Sequence, residues 1–220
     1  MRNDYKIGTM ILGSVQTNCY FVYKESDTIS DSSKGTEKTR PCIVIDPADG
    51  GSLIYERLLG MGLKVETILL THAHFDHISG VRELKKLTDA DVLISEKEKR
   101  LCMDTDTNLS ATLGHPVTIT PDRWLCDGEE IETAGLSFKV IETPGHTEGS
   151  CCYYLEDAGV VFCGDTVFEG SIGRTDFPTG SMSVLVRSIS VLAPVEREPK
   201  PVVEEALTVM SQAGEKPVSC

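Results

Sequence analysis

The chain has 220 residues, of which 40% are apolar and 25% charged, a balance normal for one larger soluble domain or a domain with a tail. Its formal net charge is −13, which argues against a nucleic-acid surface built on phosphate attraction. No apolar run approaches the roughly 18 residues needed to span a bilayer. No apolar stretch follows Met1-Arg2-Asn3-Asp4-Tyr5, which predicts no secretory signal and a cytoplasmic setting. The eight Cys include no Cys-x-x-Cys pair, so they are expected to be reduced thiols, mostly small core residues.

In chain order, residues 6–12 and 18–23 read as two strands joined by the turn Gly13-Ser14-Val15-Gln16, the second rich in strand formers. Residues 25–40 are almost wholly polar, with Ile29 the only large apolar side chain, as expected of a surface insertion between strands. Residues 42–46 predict a short buried strand and 52–63 a helix. Residues 65–70 form an apolar run free of Gly and Pro, the pattern of a buried strand. Ile78, Val81, Leu84 and Leu87 recur at helical spacing. A strand over 91–94 and a charged, helix-like segment over 96–102 follow. Residues 136–141, 151–155 and 159–163 predict strands, and 182–191 a helix. Strand and helix alternate in the first half, and strands dominate the second. That pattern predicts an α/β sandwich of two sheets with helices outside.

The chemistry concentrates in Thr71-His72-Ala73-His74-Phe75-Asp76-His77, which holds three of the five His of the chain. A His-x-His on extended backbone points both rings the same way. A helix starting near Asp76 turns Asp76 and His77 toward a second position beside the first. Neutral imidazole and carboxylate are ligands for metals such as zinc or iron. Downstream, Thr143-Pro144-Gly145-His146-Thr147 fixes an imidazole in a tight turn at a strand end. Gly164-Asp165-Thr166 repeats that logic with a carboxylate, whose two oxygens can bridge two metal ions.

His72-x-His74-x-Asp76-His77, then His146 and Asp165 in these settings, resemble the metallo-β-lactamase superfamily. Thr17-Asn18-Cys19-Tyr20, Ile45-Asp46-Pro47 and Gly173-Arg174-Thr175-Asp176-Phe177-Pro178 narrow the likeness to its glyoxalase II-like branch, especially short bacterial hydroxyacylglutathione hydrolases. The resemblance implies an αββα sandwich of two mixed β-sheets with flanking helices and a dinuclear metal site, usually zinc, sometimes iron or manganese. It implies a first metal on His72, His74 and His146, a second on Asp76 and His77, and Asp165 bridging. It implies hydrolysis of a small-molecule thioester such as S-lactoylglutathione, in which metal-bound hydroxide attacks the carbonyl and Asp76 and Asp165 orient the nucleophile. Arg174 and Asp176 are expected to fix a loop. Three alternatives stand beside this: a persulfide dioxygenase with one iron on His72, His146 and Asp165; a β-lactam or lactone hydrolase, for which the commonest zinc β-lactamases carry Cys where this chain has Asp165; and a catalytically impaired metal-binding protein.

The likeness runs over about residues 5–192. The family's further second-metal His, in a Pro-Gly-His segment after the helix over 182–191, has no counterpart. His115 comes too early in the order and is expected to be a loop residue. The Pro-rich, charged sequence after Leu192 replaces the expected strand. The expectation is a hydrolase domain over 1–192, with the insertion at 25–40, and an atypical tail over 193–220. A frame shift, truncation or alternative ending is the expected origin, with weak second-metal binding as its consequence.

Overall fold

Strands and helices are described for residues 4–25 and 39–192 of this computed structural model. The 193–220 tail and most of the 25–40 insertion lie outside the described residues. The elements are β1 (Tyr5–Leu12), β2 (Thr17–Lys24), β3 (Arg40–Ile45), α1 (Gly51–Gly60), β4 (Leu63–Leu70), α2 (Phe75–Ile78), α3 (Val81–Thr88), β5 (Asp91–Ser95) and α4 (Lys99–Met103). There follow β6 (Arg123–Leu125), β7 (Glu130–Thr133), β8 (Leu136–Glu142), β9 (Cys151–Leu155), β10 (Val160–Phe162), β11 (Val167–Phe168), β12 (Ser171–Ile172) and α5 (Met182–Leu192).

Two sheets carry the α/β sandwich. The first runs β1-β2-β3-β4-β5-β6, antiparallel from β1 to β3 and parallel from β3 to β6. The second runs β10-β9-β8-β7. The expectation of two mixed sheets holds only for the first, because the second is antiparallel throughout. The short links between β7 and β8 and between β9 and β10 allow only hairpins, since a parallel crossover needs a dozen residues or more.

Side-chain alternation sorts the core. Along β3, Cys42 and Val44 face the helices, whereas Ile43 and Ile45 face the second sheet, as a period of two requires. On β4, Val65, Ile68 and Leu70 all face the helices, and Leu69 faces inward. The parity breaks because the pairing register slips between Cys42 and Ile43, from Val65 to Thr67, the signature of a bulge. Ile54 and Leu58 of α1, Val81 and Leu84 of α3 and Leu101 of α4 complete the helix-side layer. Val140, Tyr153, Leu155, Val160 and Phe162 complete the layer between the sheets. Tyr153 Oη donates to the Leu70 carbonyl at 2.8 Å, and Cys151 N–H donates to Thr71 O at 2.9 Å. These bonds pin the end of β4 to the start of β9.

The 78–87 helical pattern is divided in two, a single turn of α2 and then α3. Gly80 stands at the break, its N–H bonded to Ala48 O at 2.8 Å, and a Cβ there would meet Pro47 O at 2.6 Å. That approach leaves no room for a side chain. The strands β6, β7, β11 and β12 have two to four residues each, too short to show alternation in the sequence. Five of the seven described Cys are buried thiols. Among the described residues no helix is long and apolar enough to cross a membrane.

Candidate metal centre

Parallel strands deliver ligands at their carboxyl ends, where open α/β sheets bind what they bind. Asp46 directly follows β3 and Thr71 directly follows β4, and the second sheet adds His146 after β8 and Asp165 after β10. All four segments meet at one edge of the sandwich. One ligand atom each from His72, His74 and His146 lie within 4.8 Å of one another, and so do those of His72, His77 and Asp165. Asp76 Oδ2 is 3.4 Å from His77 Nε2 and accepts from Thr17 Oγ1 at 2.7 Å. The structure thus brings together His72, His74, Asp76, His77, His146 and Asp165. His115 is exposed in a loop and is not among the clustered ligand atoms, although it lines a cavity of about 490 Å³ with Gly13, Val15, Phe75, Asp76 and Leu113.

The ring orientations follow from their outer partners. Thr71 Oγ1 donates to Asp46 Oδ2 at 2.7 Å, so it is an acceptor toward His72 Nδ1, 3.2 Å away. With the proton on Nδ1, the lone pair of His72 is on Nε2, which is buried and has no partner. His146 Nδ1 donates to the Arg174 carbonyl at 2.7 Å, which leaves the Nε2 lone pair facing His74 Nδ1 at 2.9 Å. Such fixing of the remote nitrogen is how proteins orient imidazole ligands. His74 Nε2 is likewise buried without a partner, and Phe177 packs edge-on to that ring at 5.5 Å. Buried polar atoms are normally hydrogen-bonded, and a cage of orphaned nitrogen lone pairs is the exception a metal explains. The donor set of imidazoles and carboxylates fits a divalent transition metal.

Charge divides the cluster. Burial, and then the neighbouring imidazoles, hold the His72 pKa well below its ordinary 6.5, and burial brings His74 down to about 3. These rings are neutral. His77 goes the other way: burial opposes its charge, but Asp76, Asp46 and Asp165 outweigh it and raise its pKa well above 6.5. Its Nε2 lies 3.3 Å from Asp165 Oδ1, and its Nδ1 lies 3.0 Å from Asp46 Oδ2 without the alignment of a hydrogen bond. Asp76 and Asp165 are held below the usual carboxylate range, since His77 overrides the burial that would raise them.

Three contributors are not assigned by the motifs. Asp46, buried with a φ of 50°, accepts from Thr71 N at 2.8 Å as well as from its hydroxyl. An Asp at positive φ is tolerated where its surroundings fix it. The acid closing a buried strand is a visible signal for it. Thr17 stands in a landmark motif but has no visible link to Asp76, 59 residues away. Glu98 lies in the charged run Glu96-Lys97-Glu98-Lys99-Arg100, which reads as a solvated face, yet it is fully buried.

An α/β sandwich with a His and Asp cluster at its strand ends defines the class. The profile described as Metallo-beta-lactamase superfamily matches residues 34–196, and the chain belongs to that superfamily, among its metallo-hydrolases. A probable metallo-hydrolase of Bacillus subtilis, YqgX, is 37% identical over 182 residues, covering 82% of this chain and 80% of that protein. The hydroxyacylglutathione hydrolase GloC of Haemophilus influenzae is 32% identical over 149 residues, 66% of this chain and 70% of its own. The crystal structure of BLEG-1, a B3 metallo-beta-lactamase, superposes with a TM-score of 0.73 at 32% identity, covering 84% of each chain.

Proposed function

We propose that the chain hydrolyses a small-molecule thioester, with S-lactoylglutathione or a close analogue as substrate. The carrying observation is the convergence of buried imidazoles, with unpartnered nitrogens on His72 and His74, on the partly buried carboxylates of Asp76 and Asp165. The name of the Haemophilus relative supports the substrate class. His72, His74 and His146 would hold a first metal, Asp76 and His77 a second, and Asp165 both. When bound, the metals would lower the pKa of water toward about 7 and polarise a carbonyl. Asp76 and Asp165, kept ionised by their surroundings, are acceptors that hold the attacking water in line. Thr17 fixes one oxygen of Asp76 and leaves the other for that role. Phe75, Val15 and Leu113 supply apolar walls beside Asp76 against which one arm of the substrate packs. Zinc is the proposed metal, one ion firm and a second weak, with iron or manganese as the alternatives; the proposed setting is the cytoplasm, without nucleic-acid or membrane partners.

Zinc-loaded protein should release free thiol from S-lactoylglutathione, and His72→Ala should abolish that release. Activity that survives a chelator, or equals that of the variant, overturns the reading. A second reading, β-lactam hydrolysis, draws on the named activity of the structural relative. Colour development from a chromogenic cephalosporin, faster than thioester turnover at equal concentration, would favour it.

A further inference from the structure

The first metal's proposed ligands come from two loops far apart in the chain, Thr71–His74 and Thr143–His146, which meet directly at His74 Nδ1 and His146 Nε2, 2.9 Å apart. One side chain from outside both loops ties the first to the turn that follows the second. Glu98 sits where β5 turns through a short 3₁₀ segment into α4, and its carboxylate is 0% exposed. Oε2 accepts from Ala73 N–H at 2.8 Å, the amide between the two rings of His72 and His74. Oε1 accepts from Thr147 Oγ1 at 2.6 Å and from Gly149 N–H at 2.9 Å, just past His146. The fit is close. A Cβ at Gly149 would stand 2.5 Å from the Lys97 carbonyl carbon and 2.8 Å from Glu98 Oε1, so the 147–149 turn seats directly on this residue.

We propose that Glu98 is a positioning residue of the metal centre, whose two carboxylate oxygens clamp the His72/His74 loop to the His146 loop and so set the geometry of the first site. The inference rests on the reading of those three His as metal ligands. Its chemistry is specific to a carboxylate. All three partners are donors, and a carboxylate is acceptor-only on both oxygens. Glutamine of the same size must turn an NH₂ toward either Ala73 N–H or the Thr147/Gly149 pair, donor against donor. Burial pushes the Glu98 pKa up to about 7, against three hydrogen bonds that lower it. A fully buried acid with no contact to solvent is a demanding way to join two loops, and a plain structural tie would be served by a neutral side chain.

The test uses the full-length, metal-free protein and cobalt(II), which reports site geometry through its visible absorption. Wild type should take up a first equivalent with a four-coordinate spectrum. Glu98→Gln should lower that first affinity on the order of 10- to 100-fold, the usual effect of an outer-sphere partner, and alter the visible bands. Thr147→Val, which removes one of three donors, should give the same change in smaller measure, and decides the matter where Glu98→Gln yields no folded protein. A variant that melts at lower temperature yet keeps the wild-type first affinity and bands shows a structural tie only, and overturns the proposal. Wild-type protein that takes up no cobalt overturns the metal reading itself, a result distinct from that one.

Discussion

Around His72, His74 and His146 the cluster is nitrogen-rich, and the His72 and His74 rings are neutral; around His77 it is a charged knot of one imidazolium and three carboxylates, Asp46, Asp76 and Asp165. The two halves are separated by a few ångströms and are folded by the same loops. In the first, burial removes the proton in advance, so lone pairs stand ready. In the second, carboxylates stabilise a proton on His77 that an entering metal must displace. The unequal halves show how one burial depth gives opposite protonation states, depending on whether imidazoles or carboxylates face the ring. They also predict sequential loading, with the neutral half first.

The largest effect should come from emptying the neutral half. His72→Ala with His74→Ala removes two of its three imidazoles. Tightly bound metal should vanish on elemental analysis of purified protein, and thioester turnover should fall by at least about a hundredfold. Equal metal content in that variant would sink the division into halves as well as the ligand assignment.

Next in size is a substitution that moves one ligand without touching it. Gly145 has a φ of 137°, and a Cβ there would lie 2.3 Å from Leu185 N on α5. Ser181 N–H donates to Gly145 O at 2.7 Å, and Ser188 Oγ donates to Pro144 O at 2.7 Å, so α5 holds this turn against the site. Gly145→Ala combines backbone strain with a clash on a fixed helix, and should destabilise the protein by roughly 3 kcal/mol. Urea unfolding of metal-free protein measures it. A change within about 0.5 kcal/mol would mean that the α5 contact does not set His146.

The third sharpens the comparison through pH. His77 has a folded pKa raised above its unfolded 6.5, so the stability it contributes is fully present below pH 6.5 and is lost as pH rises through the folded value. A second metal competes with that proton, and its affinity should climb by roughly tenfold per pH unit between about 6.5 and the raised value. His72 and His74 have lowered folded pKa values. They are already neutral over that range, and the first affinity should be nearly flat in pH for their part. In the metal-free protein they act on stability with the opposite sign to His77. Below pH 6.5 the unfolded rings take protons that the folded rings refuse, and stability falls with pH. Calorimetric titration in two buffers of different ionisation enthalpy counts the protons. The second equivalent should release about one more than the first, and equal release would erase the contrast.

The clustering of His72, His74 and His146 was legible in the sequence because these imidazoles stand at strand ends behind apolar runs, where an imidazole has no ordinary reason to be. His77 and Asp76 were legible for the same reason. Their opposite charge state was not, because it depends on Asp46 and Asp165 arriving from other strands. Glu98 was hidden by its neighbours: four charged residues around it are solvated, and nothing local distinguishes the one side chain of five that points inward. The sandwich could be read from the alternation of elements. The bulge that breaks parity on β4 and the break at Gly80 could not, since each is imposed by a neighbouring segment, β3 in one case and the Pro47–Ala48 turn in the other.

The smallest effect is expected at the loop above the neutral half. Arg174 and Asp176 form a two-pronged ion pair, Nε to Oδ1 at 2.7 Å and Nη2 to Oδ2 at 2.6 Å. The Asp176 pKa is drawn down to about 2 by the Arg174 hydrogen bonds, yet the carboxylate is open to solvent, where such pairs contribute little. What the loop gives the site comes from elsewhere. The Arg174 carbonyl accepts from His146 Nδ1, and its guanidinium lies 4.0 Å over the Phe177 ring that packs against His74. Those contacts belong to backbone and to stacking, and neither needs the Asp176 charge. Asp176→Asn should leave first-metal affinity and thioester turnover within about twofold and the melting temperature within about a degree, as measured on zinc-loaded protein. A tenfold loss of turnover at unchanged metal content would instead place Asp176 in contact with substrate, and would shift one polar determinant of the reaction onto this loop.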